Sequence, residues 1–85
     1  MGVGSRLQLT LFGRSGCHLC DEMLGDVAIL QDGLDVEVRY VDIDGDPELA
    51  EKFNDLVPLL MHGERELCRY RLNSDSVRAY LADIR

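Results

Sequence analysis

Cys17 and Cys20 stand three residues apart in the stretch G-R-S-G-C-H-L-C-D-E, between Gly13 and Glu22. Two thiols at that spacing can clamp a metal, close a static disulfide, or cycle between dithiol and disulfide. If Cys17 opens a helix, Cys20 lies one turn on and on the same face. Such i, i+3 neighbours hold their Cβ atoms roughly 5–6 Å apart, a small adjustment away from a disulfide. A thiol at a helix start also meets unsatisfied backbone N–H groups and the positive end of the macrodipole, which both favour the reactive thiolate. Arg14 adds a cation three residues upstream, and Asp21 and Glu22 oppose it. His18, between the cysteines, reads most simply as an exposed residue at the rim. Its sharper role is a partial positive charge near neutral pH that stabilises the Cys17 thiolate.

The alternatives to redox chemistry have less behind them. Tetrahedral zinc wants four ligands, and the chain has no second C-x-x-C and no H-x-x-x-H; His62 and Cys68 are single residues far along it. C-H-L-C also lacks the following His of a haem-attachment motif. No metal and no cofactor is expected. Three cysteines are an odd number, which argues against a secreted disulfide framework. In a reducing cytosol a C-x-x-C pair is more often catalytic or metal-binding than a static staple. D-I-D-G-D at 42–46 imitates the start of an EF-hand loop, but Pro47 stands where Gly belongs and Phe53 where Glu belongs. A turn and a helix cap are expected there.

The bulk properties bound the rest. Eighty-five residues make one domain, 1–85, with room for one core. The chain is 46% apolar and 29% charged, ordinary for a soluble fold. A net charge of -7 is the wrong sign for a nucleic-acid surface. No apolar run approaches membrane-spanning length. The opening M-G-V-G-S-R has Arg6 where a myristoylation signal needs Ser or Thr, and no basic-then-apolar leader precedes the first ordered segment. A cytoplasmic monomer that binds neither membrane nor nucleic acid is expected.

Certain elements must position the thiols. Leu7, Leu9 and Leu11 alternate with Gln8, Thr10 and Phe12, the period of a strand, and G-R-S-G ends it. From His18 to about Gln31 the residues Leu19, Met23, Leu24, Val27, Ile29 and Leu30 recur near helical spacing. Gly25 weakens that helix by roughly 1 kcal/mol relative to Ala, so close packing is expected there. D-G at 32–33 stops the helix, and Val36, Val38 and Tyr40 alternate along a second strand. Asp46 caps a short helix that opens at Pro47 and ends near Asn54. Pro58 to Met61 and Glu66 to Tyr70 read as two strands of a hairpin about the H-G-E turn. Asn73 or Ser74 caps a last helix, in which Val77, Tyr80, Leu81 and Ile84 share a face. The order βαβαββα implies a four-stranded mixed sheet flanked by three helices, an α/β fold with one right-handed parallel crossover. Cys68 is expected to point inward as a small hydrophobe. His62 is expected to be a turn residue, and Arg65, Arg69 and Arg71 a solvated strand face.

A strand, then C-x-x-C at a helix head, then V-P-L-L some forty residues later before a hairpin and a closing helix, resembles the thioredoxin fold. Within that fold it is most similar to the small glutaredoxin-like branch, from about Leu7 to Leu81. The resemblance implies that Cys17 is the nucleophile and that Cys20 resolves the mixed disulfide. It implies that Pro58 is cis and faces the cysteines, and that the backbone at Val57 pairs with the bound thiol substrate. Arg14 matches a basic residue often found upstream of the glutaredoxin cysteine. The chain departs from the family at three places. His18 replaces the proline of C-P-x-C, and Leu11 stands where thioredoxins carry a buried Asp. The Gly-Gly that helps hold glutathione before the last helix is absent from C-R-Y-R-L-N-S-D. The expected function is a small dithiol oxidoreductase acting on protein or small-molecule disulfides, with glutathione a poor or non-exclusive partner. The alternative is a non-enzymatic thioredoxin-fold module that docks a partner, with the dithiol incidental or metal-assembling.

Overall fold

The leucine alternation at the start of the chain becomes β1 (Leu7–Gly13) in a computed structural model that describes residues 7–84. The M-G-V-G-S-R read for a leader or lipid signal lies outside the described residues. After β1 come α1 (His18–Asp32), β2 (Val36–Asp42), a 3-10 turn (Ile43–Gly45) and α2 (Pro47–Phe53). The hairpin strands β3 (Leu59–His62) and β4 (Arg65–Arg69) follow, and then α3 (Ser74–Asp83). The sheet order is β2-β1-β3-β4, with β1 parallel to β2 and the other pairings antiparallel. This is the expected α/β architecture, a mixed four-stranded sheet with three α-helices. The third strand begins at Leu59 because Pro58 has no N–H to give a ladder, and the fourth is one residue earlier than its expected bounds.

The Leu9 and Leu11 face of β1 is fully buried, which fixes its register. Leu9 and Leu11, both fully buried, join Met23, Val27 and Leu30 of α1, together with Val36, Leu60, Val77 and Leu81, in the main core. On the opposite face Phe12 packs with Phe53 of α2, ring centroids 4.7 Å apart, beside Ile43 and Leu59. Truncating one of the buried leucines to Ala would cost about 2–5 kcal/mol. The mixed sheet is thus a slab with α1 and α3 on one side and α2 on the other.

The caps follow the sequence. Asp46 Oδ1 accepts the Glu48 N–H at 2.9 Å with Pro47 as first helical residue, and Asn73 Oδ1 accepts the Ser76 N–H at 3.1 Å. Asp42 Oδ1 accepts the Asp44 N–H at 2.9 Å, so D-I-D-G-D is a turn and a cap, as expected. The hairpin turns at Gly63, φ 62°, and Glu64.

Four expectations need correction. Leu24 and Ile29 are 42% and 74% exposed, because the inward stripe of α1 is Cys20, Met23, Val27 and Leu30 and leaves them off it. Gly25 is not closely packed, since a Cβ there would meet no atom within 4 Å. Ile84 follows the last turn of α3 and is 40% exposed. His62 does more than turn the chain: its Nδ1 shares a 2.6 Å hydrogen bond with the Tyr80 hydroxyl, tying β3 to α3.

Candidate active site

The carboxyl ends of the two parallel strands, β1 and β2, lie together, Gly13 beside Asp42. Because β3 runs antiparallel to β1 in the register Phe12 to Leu59, the Val57–Pro58 peptide enters at this same end. β4 leaves here too, Arg69 pairing with Leu59. The sheet therefore delivers four chain segments to one edge, the usual place for a ligand in an open α/β sheet.

The first segment carries the thiols. Gly16 at φ 75° turns the chain between β1 and α1, a conformation that costs glycine no Cβ clash. The turn leaves Cys17 as the N-cap of α1 in extended geometry, with its Sγ accepting the Cys20 N–H at 3.1 Å. Cys17 is half-buried whereas Cys20 is 1% exposed. The two are joined as a disulfide with Cα atoms 5.1 Å apart. Cys17 is the more accessible of the pair, for the cap sits outside the helix and Cys20 lies on its inward stripe.

The second segment is the loop from Asn54 to Pro58, whose Val57–Pro58 bond is cis. Arg14 fixes it from the β1 side. Its guanidinium grips Asp44 through two hydrogen bonds, Nε to Oδ2 at 3.1 Å and Nη2 to Oδ1 at 2.6 Å. Its Nη1 reaches both the carbonyl and the Oδ1 of Asn54 at 3.1 Å. The hydrogen bond from Arg14 holds the Asp44 carboxyl below its ordinary range, and the same bond raises the guanidinium. Arg14 thus stands at the site as a clamp between loops, its charge already paired. His18 is 86% exposed at its side chain and faces Glu22, Nε2 to Oε2 at 2.7 Å.

The third segment follows β4. Tyr70 has φ 71°, and the Arg71 N–H closes a three-residue turn on the Arg69 carbonyl at 2.8 Å. A non-glycine residue in that region costs about 1–3 kcal/mol, so other contacts must hold it. The Tyr70 N–H donates to the Pro58 carbonyl at 2.7 Å, and its hydroxyl donates to the Asp55 carbonyl at 2.7 Å. Arg69 is tied to Glu66 by two bonds of 2.9 and 2.8 Å, which lower the Glu66 carboxyl and raise the Arg69 guanidinium. A shallow groove of about 160 Å³ lies alongside, lined by Glu22, Met23, Asp26, Tyr70, Arg71 and Leu72.

The structure therefore brings Cys17, Cys20, Arg14, Val57 and Pro58 to one edge and turns His18 outward. Cys68 lies across from Leu60 and packs against the main core, where burial pushes its thiol up. Sequence reasoning missed Asp44, Asn54 and Tyr70. It also missed Tyr40, whose hydroxyl would stand 2.6 Å from a Cβ at Gly13. The one signal was the stretch without glycine where the family carries Gly-Gly, and it covered Tyr70, Arg71 and Leu72 together. Among the described residues no three His, Cys, Asp or Glu side chains converge to hold a metal. None of their helices is long and apolar enough to cross a membrane.

Known proteins place this arrangement. The family model described as Glutaredoxin-like domain (DUF836) matches residues 8–82. An uncharacterized protein of Mycobacterium tuberculosis is 29% identical over 83 residues, covering 92% of this chain and 86% of the relative. A solved Nitrosomonas europaea protein is 38% identical, covers 94% of this chain and 96% of its own, and superposes with a TM-score of 0.75. A structure from X. campestris is 32% identical over 88% of this chain and 96% of its own, TM-score 0.69. Thioredoxin 1 of Thermosipho africanus, 20% identical over 91% of this chain and 97% of its own, shares the fold with a TM-score of 0.64. With the family model spanning nearly its whole length and a cysteine pair at disulfide distance heading α1, the chain belongs to the glutaredoxin-like family of thioredoxin-fold proteins.

Proposed function

We propose that this chain is a small dithiol thiol–disulfide oxidoreductase that reduces or exchanges protein and small-molecule disulfides. One observation carries the reading: Cys17 and Cys20 are bonded across the first turn of α1, with the accessible sulfur at the cap and the other inside. In the reduced chain the Cys17 thiolate attacks one sulfur of a substrate disulfide, and the other sulfur departs as a thiolate that takes up a proton. Cys20 then loses its proton and attacks the Cys17 sulfur of the mixed disulfide. The second substrate thiol is released and the Cys17–Cys20 bond forms. Two electrons have passed to the substrate, and an external thiol or dithiol restores the pair.

The amide of Cys20 and the N-terminus of α1 stabilise the negative Cys17 sulfur at the moment it is needed. Val57 supplies the binding edge. Its N–H and C=O have no partner among the described residues, so an extended substrate can add to them as a strand would. Arg14 acts by holding the loop that carries Val57. The cycle belongs in a reducing compartment such as the cytoplasm, and a monomer suffices for it. Glutathione is a poor or non-exclusive partner in this reading: Arg14 and Arg69 are engaged by Asp44 and Glu66, and Tyr70 stands at the turn before α3.

The test is insulin reduction with dithiothreitol as electron source. Cys17→Ser should abolish turnover, and Cys20→Ser should accumulate a mixed disulfide visible by mass spectrometry. Undiminished turnover in Cys17→Ser would sink the assignment. A second comparison supplies electrons from glutathione or from a thioredoxin reductase system. Efficient, saturable use of glutathione alone would overturn the view of the partner.

A further inference from the structure

We infer that Tyr70 is the positioning residue of the Val57–Pro58 edge, holding it from both backbone and side chain so that an extended disulfide substrate meets a prepared strand. The inference rests on the oxidoreductase reading and names the residue that prepares its binding edge. The backbone N–H of Tyr70 takes the Pro58 carbonyl and its phenol takes the Asp55 carbonyl, each at 2.7 Å. These two carbonyls bracket Val57. Asn54 is held from the other side by Arg14, and the Leu56 N–H donates to Phe53 at 2.9 Å. Pro58 has no N–H to offer. Val57 is thereby left open in both its N–H and its C=O while the residues on either side are fixed.

The left-handed conformation of Tyr70 shows that this arrangement is specified. Glycine would make the same turn without strain, but it has no hydroxyl to reach Asp55. The ring is seated from below by Arg69, whose guanidinium lies 5.9 Å from its centroid and is itself fixed by Glu66. A loop ordered before binding spares the substrate the cost of ordering it. The benefit falls on substrates that lie along the edge. A disulfide too small to reach Val57 gains nothing from it.

The discriminating variant is Tyr70→Phe, which keeps the ring and removes the hydroxyl, with its bond to the Asp55 carbonyl and its contact with the Arg69 guanidinium. With dithiothreitol as reductant, KM for insulin should rise about two- to tenfold, the worth of one net hydrogen bond. The kcat on insulin and the turnover of bis(2-hydroxyethyl) disulfide should stay as in the unmodified chain. A merely structural role would lower both activities together. Amide hydrogen exchange gives a readout independent of turnover: the Leu56 and Tyr70 amides, bonded to the Phe53 and Pro58 carbonyls, should exchange faster in Tyr70→Phe, with Leu11 and Leu60 unchanged. Unaltered exchange at Leu56 and Tyr70, an unaltered insulin KM, or parallel losses on both disulfides would overturn the inference. Failure of the unmodified chain to reduce either disulfide would instead strike the oxidoreductase reading, and with it the substrate role given to Tyr70.

Discussion

Replacing Cys17 by serine or by alanine separates two duties that the wild-type sulfur combines. As nucleophile the sulfur is irreplaceable by either. As N-cap of α1 it accepts the Cys20 N–H at 3.1 Å, a task a serine oxygen performs well and alanine cannot perform. Alanine leaves that amide without its acceptor, at a residue only 1% exposed. Loss of a side-chain cap costs about 1 kcal/mol, within a range of about 0.5–2. An unsatisfied buried N–H is worth about 1–3 kcal/mol, so the two routes agree in scale. In a domain of this size 1 kcal/mol moves the midpoint of thermal unfolding by about 4–8 °C. Unfolding should be followed by circular dichroism in excess dithiothreitol, which removes any disulfide contribution from the comparison. Cys17→Ser should melt about 4–8 °C above Cys17→Ala, while both have lost turnover. If the two variants melt together, the sulfur is not a cap in solution, and the account of how α1 stabilises the attacking thiolate fails with it.

Gly25→Ala should raise stability by up to about 1 kcal/mol, since the new methyl group enters open space on α1; a lower melting point would reveal a contact there. Iodoacetamide at mildly acidic pH should label Cys17 of the reduced chain before Cys20 or Cys68, as peptide mapping would show, and earlier labelling of either other cysteine would overturn the role assignment. Burial raises the Cys68 thiol, so its contribution to stability is intact below the ordinary thiol value and is lost as pH rises through the folded value. Urea midpoints should accordingly fall more steeply with alkaline pH in the wild type than in Cys68→Ala, and parallel curves would contradict that burial.

The fold was legible because its signals are local and repeated. Leu9 and Leu11 at period two, the Asp46-Pro47 cap and the H-G-E turn each constrain a few neighbouring residues, and the element order follows from them. The stripe on α1 was read too broadly, because Leu24 and Ile29 are apolar and near helical spacing without being on the buried side. Periodicity alone cannot decide which apolar residues the sheet covers. The cysteines, the V-P edge and Arg14 could be named because their chemistry sits in the side chain or in a short motif. Asp44 and Asn54 could not, nor could the anchoring part of Tyr70, since what makes them matter is the meeting of β1, the 3-10 turn, the α2 exit and the β4 exit at one edge. That meeting is a property of sheet order, which no run of neighbouring residues displays.

The same meeting changes what the charges near the thiols do. Read along the sequence, Arg14 looks like a free cation beside a nucleophile and Arg69 like part of a solvated strand face. In the fold each has found a carboxylate that makes two hydrogen bonds with it, and bidentate pairs of this kind are the strongest and most geometrically exact of side-chain contacts. Arg14 spends its remaining nitrogen on Asn54, and Arg69 lies over the Tyr70 ring. Both cations therefore act on the backbone that flanks Val57, one from each side. The positive charge nearest the site serves to hold a neutral hydrogen-bonding edge in place. On the proposed reading, recognition built this way would follow the extended backbone of a disulfide partner and depend little on the charge that partner carries.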